Sequence, residues 1–240
     1  MICHVGTRGD RHEPVYVDDQ DRWEFLGLLT SVTFEAEWRV LAYCFLGNHY
    51  HLMLEVPHGN LAWGMHRLNS IFASRFNKRH GYVGSHLFQK RYFSKLIENH
   101  RYLLVAHAYI ALNPVEAGLC RHAETWSWSS TGALLGHRAP ATVLSADRAL
   151  ELIHRDRSTA REHLLKAVRF PERKRLLTEP TPQHVRDLRE YHGMTLVQIA
   201  DHFGLSKATV LRLSKRGEPK VPGTFGSPAA AVDKPPGSTT

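Results

Sequence analysis

Residues 41–56 read LAYCFLGNHYHLMLEV, two apolar stretches interrupted by a Gly-Asn pair at positions 47 and 48. Such a pair between β-prone stretches is typical of a tight turn, so the segment predicts a hairpin of two buried strands. His49 and His51 lie two residues apart in the second strand, and a strand directs such residues to the same face. The segment therefore predicts two imidazoles that point at one spot.

This histidine pair has two interpretations. A single histidine in an apolar strand is usually a core residue whose hydrogen bonds are satisfied. Satisfying two imidazoles in one core is harder than binding a cation with them. We therefore interpret His49 and His51 as candidate metal ligands.

The pattern on either side of the hairpin predicts an α+β domain. Apolar residues recur at steps of three and four from Leu61 to Phe76, which predicts an amphipathic helix over residues 60–79. This order of elements predicts an antiparallel sheet with helices packed on one side. The predicted strands are residues 2–7, 39–45, 49–56 and 87–97, and the other helices are residues 21–33 and a segment that begins at His100 after the cap Asn99.

Tyr109 and Asn113 lie four residues apart in the helix that begins at His100, so the helix can present both to the same side. Pro114 removes a backbone donor and biases Asn113 away from helical geometry, which predicts a frayed turn there. Taken alone, Tyr109 has an ordinary interpretation, because tyrosines on amphipathic helices are usually half-buried packing residues. The order of motifs along the chain favours a functional one.

Three blocks follow one another along the chain: YCFLGNHYHLMLE from Tyr43, LFQKRY from Leu87 and YIALNPVEAGL from Tyr109. In this order they resemble the single-tyrosine HUH transposases, especially the REP-associated tyrosine transposases. The resemblance extends upstream to the segment that starts at Thr7 and covers over half of the chain. Asp10 stands where the family usually has asparagine, and Glu116 occupies a position that is often basic.

The resemblance implies a ferredoxin-like or RRM-like HUH nuclease domain. It implies that His49 and His51 bind a metal ion, that Asn113 is the third ligand and that Tyr109 is the nucleophile. Enzymes of this family cut single-stranded DNA and keep a 5′-phosphotyrosine link that a free 3′-hydroxyl can later attack. Some relatives act as dimers and others act alone, which leaves a homodimer open.

These residue types suit phosphodiester chemistry. A phosphodiester is anionic and repels nucleophiles, so a divalent cation must withdraw charge from its nonbridging oxygens. Two neutral imidazoles and an amide oxygen leave the charge of the ion available to the phosphate, which favours Mg²⁺ or Mn²⁺. A tyrosine oxygen attacks, and its phenolate is a better leaving group than an alkoxide when the 3′-hydroxyl returns.

The whole chain has a net charge of +8, and its basic residues are concentrated in the middle. Residues 60–105 carry eight Lys or Arg against one acid, whereas residues 1–59 carry four against nine. Aromatic residues are interspersed in the basic stretch, a mixture that can neutralise phosphates while bases stack on exposed rings. The alternative is a solvated helix face over core aromatics. The candidate DNA-binding residues of this stretch are Arg67, Lys90, Arg91 and Lys95.

The C-terminal part predicts a second DNA-binding unit. Ala200, Gly204 and Val210 have the offsets of a helix-turn-helix, with Ser206 as the cap of the recognition helix. An ordinary helical hairpin has similar spacing. The recognition helix would offer Lys207, Thr209, Arg212 and Lys215 to duplex DNA. We expect a transposase domain at 1–135, a helical linker at 136–182, the helix-turn-helix at 183–216 and a disordered tail at 217–240.

Three cysteines without paired spacing predict neither a disulfide framework nor a zinc cluster, which favours a location in the reducing cytoplasm. We expect the protein to associate with the nucleoid when it is bound to DNA. No apolar run approaches the roughly 20 residues that a membrane-spanning helix needs, and no signal sequence precedes the first strand. We therefore expect a protein without a membrane partner.

Two further functions fit the same residues. One is a domesticated DNA-binding regulator that uses the helix-turn-helix while the catalytic pocket is idle. The other is a metal-dependent hydrolase that activates water, for which the local sequence offers Glu55 as the general base. The leading hypothesis remains a metal-dependent single-stranded DNA endonuclease and strand transferase.

Overall fold

The computed structural model describes residues 1–82, 84, 86–169, 185, 189, 195–203 and 206–215. Within them, four strands form one antiparallel sheet in the order β2-β3-β1-β4. The strands are β1 (Ile2–Arg8), β2 (Arg39–Phe45), β3 (His49–Glu55) and β4 (Phe93–Leu96), and helices α1 (Asp19–Ala36) and α2 (Leu61–His80) connect them. The predicted antiparallel α+β fold is confirmed.

The hairpin of β2 and β3 forms as predicted. The amide of Leu46 donates to the carbonyl of His49 at 2.9 Å, which closes a two-residue turn at Gly47 and Asn48. β3 pairs with β2 on one edge and with β1 on the other, so it is a central strand. Its side chains alternate between the two faces of the sheet, with Tyr50 on one face and the histidine pair on the other.

Helices α1 and α2 cover the face that carries Tyr50. The Tyr50 hydroxyl donates to Oδ1 of Asn69 on α2 at 2.5 Å, and its ring centroid lies 4.6 Å from that of Phe25 on α1. The buried carboxylate of Asp21 near the start of α1 accepts from Arg79 at the end of α2. These contacts join both helices to the sheet and to each other.

Helix α3 (His100–Glu116) lies over part of the opposite face of the sheet, so helices contact both faces and not one side alone as predicted. The Asn99 side chain caps it by accepting from the amide of Tyr102 at 2.9 Å, as predicted. The frayed turn predicted at Asn113 is wrong, because α3 continues through Pro114 to Glu116. Donors beyond the proline hold the last turn, since the amide of Ala117 donates to the carbonyl of Asn113 at 2.9 Å.

The fourth strand is shorter than the predicted range 87–97. Residues before Phe93 meet the end of β1 through scattered contacts and not through a continuous ladder. Examples are the bridge between Gly9 and Phe88 and the hydrogen bond from the amide of Gln89 to the carbonyl of Arg8. Lys90 and Arg91, which follow, are exposed. A run of β-prone residues therefore becomes a strand only where β1 offers a continuous partner.

Within the described residues, the helices after α3 form two groups. The first comprises α4 (Thr131–Leu134), α5 (Ala146–Ile153) and α6 (Arg157–Arg169), whose apolar residues join the core of the sheet domain. The second comprises α7 (Leu196–Phe203) and α8 (Lys207–Lys215), which bury Ile199 and Val210 with Val185. Short 3-10 turns occur at Asp10–His12 and Ala123–Thr125.

The domain boundaries given above stay predictions. The turn glycine Gly204, residues 170–182 of the linker and the tail at 217–240 lie outside the described residues. The predicted cap of the recognition helix is present, since the amide of Thr209 donates to Oγ of Ser206 at 3.1 Å. None of the described helices is both long and apolar enough to cross a bilayer.

Candidate active site

The two histidines of β3 lie side by side on the face of the sheet that α3 covers. Their ring centroids are 5.2 Å apart and their planes are nearly perpendicular, at 88°. The antiparallel register places His51 opposite Gly6 and His49 opposite Arg8 of β1. Both histidines are buried. The strand alternation that the sequence predicts therefore brings the two imidazoles to one place.

Hydrogen bonds orient both rings. Nδ1 of His49 donates to Oδ1 of Asn48 at 2.8 Å, which leaves the lone pair on Nε2. Nδ1 of His51 lies 3.1 Å from Nε2 of His4, a buried residue of β1. When His51 donates in this contact, its Nε2 has the lone pair as well. A partner on the second nitrogen is the usual way in which proteins fix the tautomer of a metal-binding histidine.

Helix α3 adds the tyrosine and the asparagine to the same place. The ring of Tyr109 is half-buried, and its centroid lies 5.5 Å from the rings of both His4 and His51. Nδ2 of Asn113 donates to the carbonyl of Tyr109 at 2.8 Å, so its Oδ1 remains for other contacts. The Asn113 side chain also makes a hydrogen bond with His49. The four residues predicted for catalysis and metal binding thus converge.

The electrostatics of the site keep His49 neutral. Burial lowers the pKa of His49 to about 3, and the positive charge of Arg8 lowers it as well, while the hydrogen bond with Asn113 acts in the opposite direction. A neutral imidazole is the form that binds a cation. At neutral pH, His49 is therefore in the protonation state that metal ligation requires.

The donor set fits a divalent cation. Imidazole nitrogens are common ligands of first-row transition-metal ions, and an amide oxygen also suits Mg²⁺ or Mn²⁺. Across the described parts of the chain, no group of three or more His, Cys, Asp or Glu side chains is arranged to hold a metal ion. The predicted set differs from such a group in composition, because its third member is the asparagine Asn113.

Comparison with protein-family models matches residues 2–113, just under half of the chain, to the family described as IS200-like transposases. The matched region, residues 2–113, is called the IS200-like transposase domain below, after the family that it resembles. The resemblance that the three sequence blocks indicated is thereby confirmed. The matched range ends at Asn113, so it contains the whole sheet, the histidine pair and Tyr109.

Among solved structures, the chain is similar to a REP-associated tyrosine transposase bound to a REP hairpin, with a TM-score of 0.47 and 17% sequence identity. The alignment covers 59% of this chain and 82% of that one. A comparison with curated proteins finds no match.

Two residues of the IS200-like transposase domain that sequence reasoning missed also line the site. His4 contacts His51, as described above, and the ring of Phe93 on β4 lies 5.0 Å from that of His4 and 5.8 Å from that of His51. In β1, His4, Gly6 and Arg8 alternate with apolar or small residues, and this two-residue period indicates that the three share one face of the strand. It could not be used without knowing that β1 pairs with β3.

Gly6 makes room for this arrangement. A Cβ at position 6 would collide with the carbonyl oxygen of Tyr50 and with the ring of Phe93. We expect Gly6→Ala to lower the free energy of unfolding by about 1–3 kcal/mol, because the strand and the ring must both shift. Urea denaturation would measure the change.

Gly27→Ala is the matched control for that substitution. Gly27 is an exposed residue inside α1, and a Cβ there would meet nothing within 4 Å. Because alanine is the better helix former, this variant should be more stable than the wild type by roughly 0.5–1 kcal/mol. Equal stability of the Gly6→Ala protein and the wild type would contradict the predicted collision.

The predicted DNA-binding residues of the IS200-like transposase domain lie in different places. Lys95 on β4 is on the face of the sheet that carries the histidines, and its Nζ lies 4.5 Å from the ring centroid of Tyr102. Lys90 and Arg91 are exposed just before β4. Arg67 lies on α2, across the sheet from the site, where its Nε is 2.8 Å from Oε2 of Glu35. It is therefore not part of the convergence.

The predicted contacts of the recognition helix lie on α8. Lys207, Arg212 and Lys215 are exposed, and Thr209 is half-buried. Val210 on the same helix is buried in the small cluster, against which Tyr109 also packs. This cluster therefore lies beside the site residues of the IS200-like transposase domain.

Glu55, the general base that a water-activating hydrolase would need, is held in ion pairs. Its carboxylate oxygens lie 2.8 Å from Nη2 of Arg148 and 3.2 Å from Nη1 of Arg39. Hydrogen bonding to Arg148 is the main cause that lowers the pKa of Glu55, although partial burial opposes it. A carboxylate with a lowered pKa is a weaker base at neutral pH, so this contact argues against the hydrolase hypothesis.

Proposed function

We propose that this domain is a single-stranded DNA endonuclease and strand transferase in which Tyr109 is the nucleophile. The observation that carries the proposal is the convergence of Tyr109 with the buried pair His49 and His51 between the sheet and α3. The match of residues 2–113 to a transposase family supports DNA as the substrate. The hydroxyl, the imidazoles and the amide of Asn113 come from one strand and one helix, so their relative position is set by the fold.

In the proposed reaction, the Tyr109 hydroxyl loses its proton to solvent and its oxygen attacks the phosphorus of one DNA linkage. A bond forms between the tyrosine oxygen and phosphorus, the bond to the 3′-oxygen breaks, and the 3′-oxygen takes up a proton. The number of phosphodiester bonds is conserved, so the released 3′-hydroxyl can reverse the step or another 3′-hydroxyl can replace it. The same chemistry therefore cuts and rejoins strands.

His49, His51 and Asn113 would hold a divalent cation, with Mg²⁺ or Mn²⁺ as the expected ions. When bound, such an ion withdraws charge from the nonbridging oxygens of the phosphate. The protein itself supplies the orientation, because His4 and Asn48 hold the two rings and the α3 backbone holds Asn113. These contacts keep the ligands in place before DNA binds.

DNA is the proposed partner at two places. Lys95 on β4 lies on the face of the sheet that carries the histidines, and Lys90 and Arg91 lie just before β4. This arrangement suits a single strand or a hairpin leading to Tyr109. The exposed basic residues of α8 suit the phosphates or the major groove of a duplex. The competing function, a regulator with an idle pocket, would use only the second surface.

Covalent capture tests the proposed function. Short single strands taken from the repeats that flank the gene, labelled at the 3′ end, would be incubated with the full chain and Mg²⁺ or Mn²⁺. A 5′-phosphotyrosine link leaves the labelled fragment on the protein, so a labelled band should appear on a denaturing gel. EDTA should remove the band. DNA binding without any labelled band, unchanged by EDTA, would instead support the regulator.

A further inference from the structure

Arg8, the last residue of β1, is a buried cation that the proposed reaction does not use. Only 7% of its surface is exposed. Its Nε and Nη1 atoms are buried and make no hydrogen bond within the described residues. Over the same residues, no Asp or Glu forms an ion pair with it. A buried guanidinium that lacks an acceptor is rare, because charges are normally paired when they leave water.

The backbone fixes Arg8 beside the histidine pair. Arg8 and His49 are direct cross-strand partners, and side chains in such positions lie on the same face, roughly 5 Å apart at Cβ. The carbonyl of Arg8 accepts from the amide of Gln89 at 3.0 Å, and the amide of Gly9 donates to the carbonyl of Asn48 at 2.8 Å. The residue is therefore held on both sides at the edge of the site.

The neighbours of Arg8 make its charge more costly. Burial lowers the pKa of Arg8, and the positive charge of Arg8 in turn lowers the pKa of His49. His49 is also a proposed ligand of a divalent cation, so two positive charges would lie close together. An anion between them would remove this repulsion and accept the unused N–H groups.

Resting on the proposed function, we propose that Arg8 binds a nonbridging oxygen of the DNA phosphate that Tyr109 attacks. Nε and Nη1 of the guanidinium are buried and have no acceptor, and its planar fork of N–H groups matches phosphate oxygens better than the ammonium group of a lysine does. The phosphate attacked by Tyr109 must lie near His49 and His51, and Arg8 is the cross-strand neighbour of His49. Arg8 would thus neutralise and orient the reacting linkage.

Binding measured in EDTA tests this contact without cleavage or metal. Arg8→Gln and Arg8→Lys would be compared in a Tyr109→Phe background with a labelled single strand at several salt concentrations. We expect Arg8→Gln to weaken binding about tenfold and to reduce the slope of log K against log salt by roughly 0.7, the value for one phosphate contact on a single strand. Arg8→Lys should keep most of the slope and lose part of the affinity, because it keeps the charge but not the fork.

A neutral methylphosphonate, placed at one linkage at a time, identifies the phosphate. At the linkage bound by Arg8, the replacement should weaken binding by the arginine-containing protein and have no further effect on Arg8→Gln. At other linkages, the replacement should weaken DNA binding by both proteins equally. The sensitive linkage should coincide with the linkage that the wild type cuts. No such linkage, or one several nucleotides from the cut, would overturn the proposal.

Thermal unfolding separates this role from a structural one. A buried charge without a partner does not stabilise the fold, so Arg8→Gln should unfold at the same temperature as the wild type or higher. A clear loss of stability together with unchanged DNA affinity would overturn the proposal. If the wild type cuts no strand, the proposed function fails. A single linkage whose negative charge strengthens binding only when Arg8 is present would still support the phosphate contact.

Discussion

Tyr109→Phe is expected to abolish the covalent link between protein and DNA, with a fall of at least about a thousandfold in the rate of adduct formation. The substitution removes the attacking oxygen and keeps the ring that packs against both His4 and His51. Affinity for an uncleaved hairpin strand should therefore stay within about twofold of the wild type, a change below ~0.5 kcal/mol. Denaturing gels and an equilibrium binding assay would measure the two quantities.

Tyr102→Phe provides the matched control. Tyr102 is another half-buried tyrosine of α3, and its ring contacts Nζ of Lys95. It should form the adduct at close to the wild-type rate. A Tyr109→Phe protein that still becomes labelled would refute the assignment, and peptide mapping of the labelled protein would then identify the residue that carries the DNA.

The second large effect is expected from the histidine pair. His49→Ala and His51→Ala should each lower metal-dependent cleavage by at least about 100-fold, because each removes one of three proposed ligands. Each should also weaken Mn²⁺ binding in the absence of DNA, which calorimetry or electron paramagnetic resonance can measure. This second readout does not depend on catalysis.

His66→Ala is the control for these variants, since His66 is an exposed residue of α2. It should leave both Mn²⁺ binding and cleavage unchanged. If His49→Ala and His51→Ala lowered the free energy of unfolding and left Mn²⁺ binding as in the wild type, the two histidines would be core residues, and the metal site would have to be abandoned.

Features set by short-range periodicity could be predicted from the sequence. The turn at Gly47 and Asn48 follows from the types of the two residues, and the shared face of His49 and His51 follows from strand alternation. The spacing of Tyr109 and Asn113 needs only the helical repeat. These patterns contain the candidate catalytic residues because each pair lies within a single element.

Features that depend on strand register could not be predicted in this way. Arg8 and His4 reach the site because β1 pairs with β3 in one particular alignment, and no local pattern specifies it. Pro114 was expected to fray the turn at Asn113, yet donors from later residues hold the last turn of α3. The charge pattern also does not show which face of the sheet a basic residue lies on. Arg67 belongs to the basic stretch but forms an ion pair with Glu35 on the far side of the sheet.

The central position of β3 has a consequence for how the protein loses activity. Both histidines are on a strand that is hydrogen-bonded along both edges, and a slip of one residue would turn both rings to the opposite face. Interior strands open only with the whole domain, unlike loops and chain ends. Heating should therefore inactivate the protein at the same temperature at which the sheet melts, without an earlier, partly folded but inactive species.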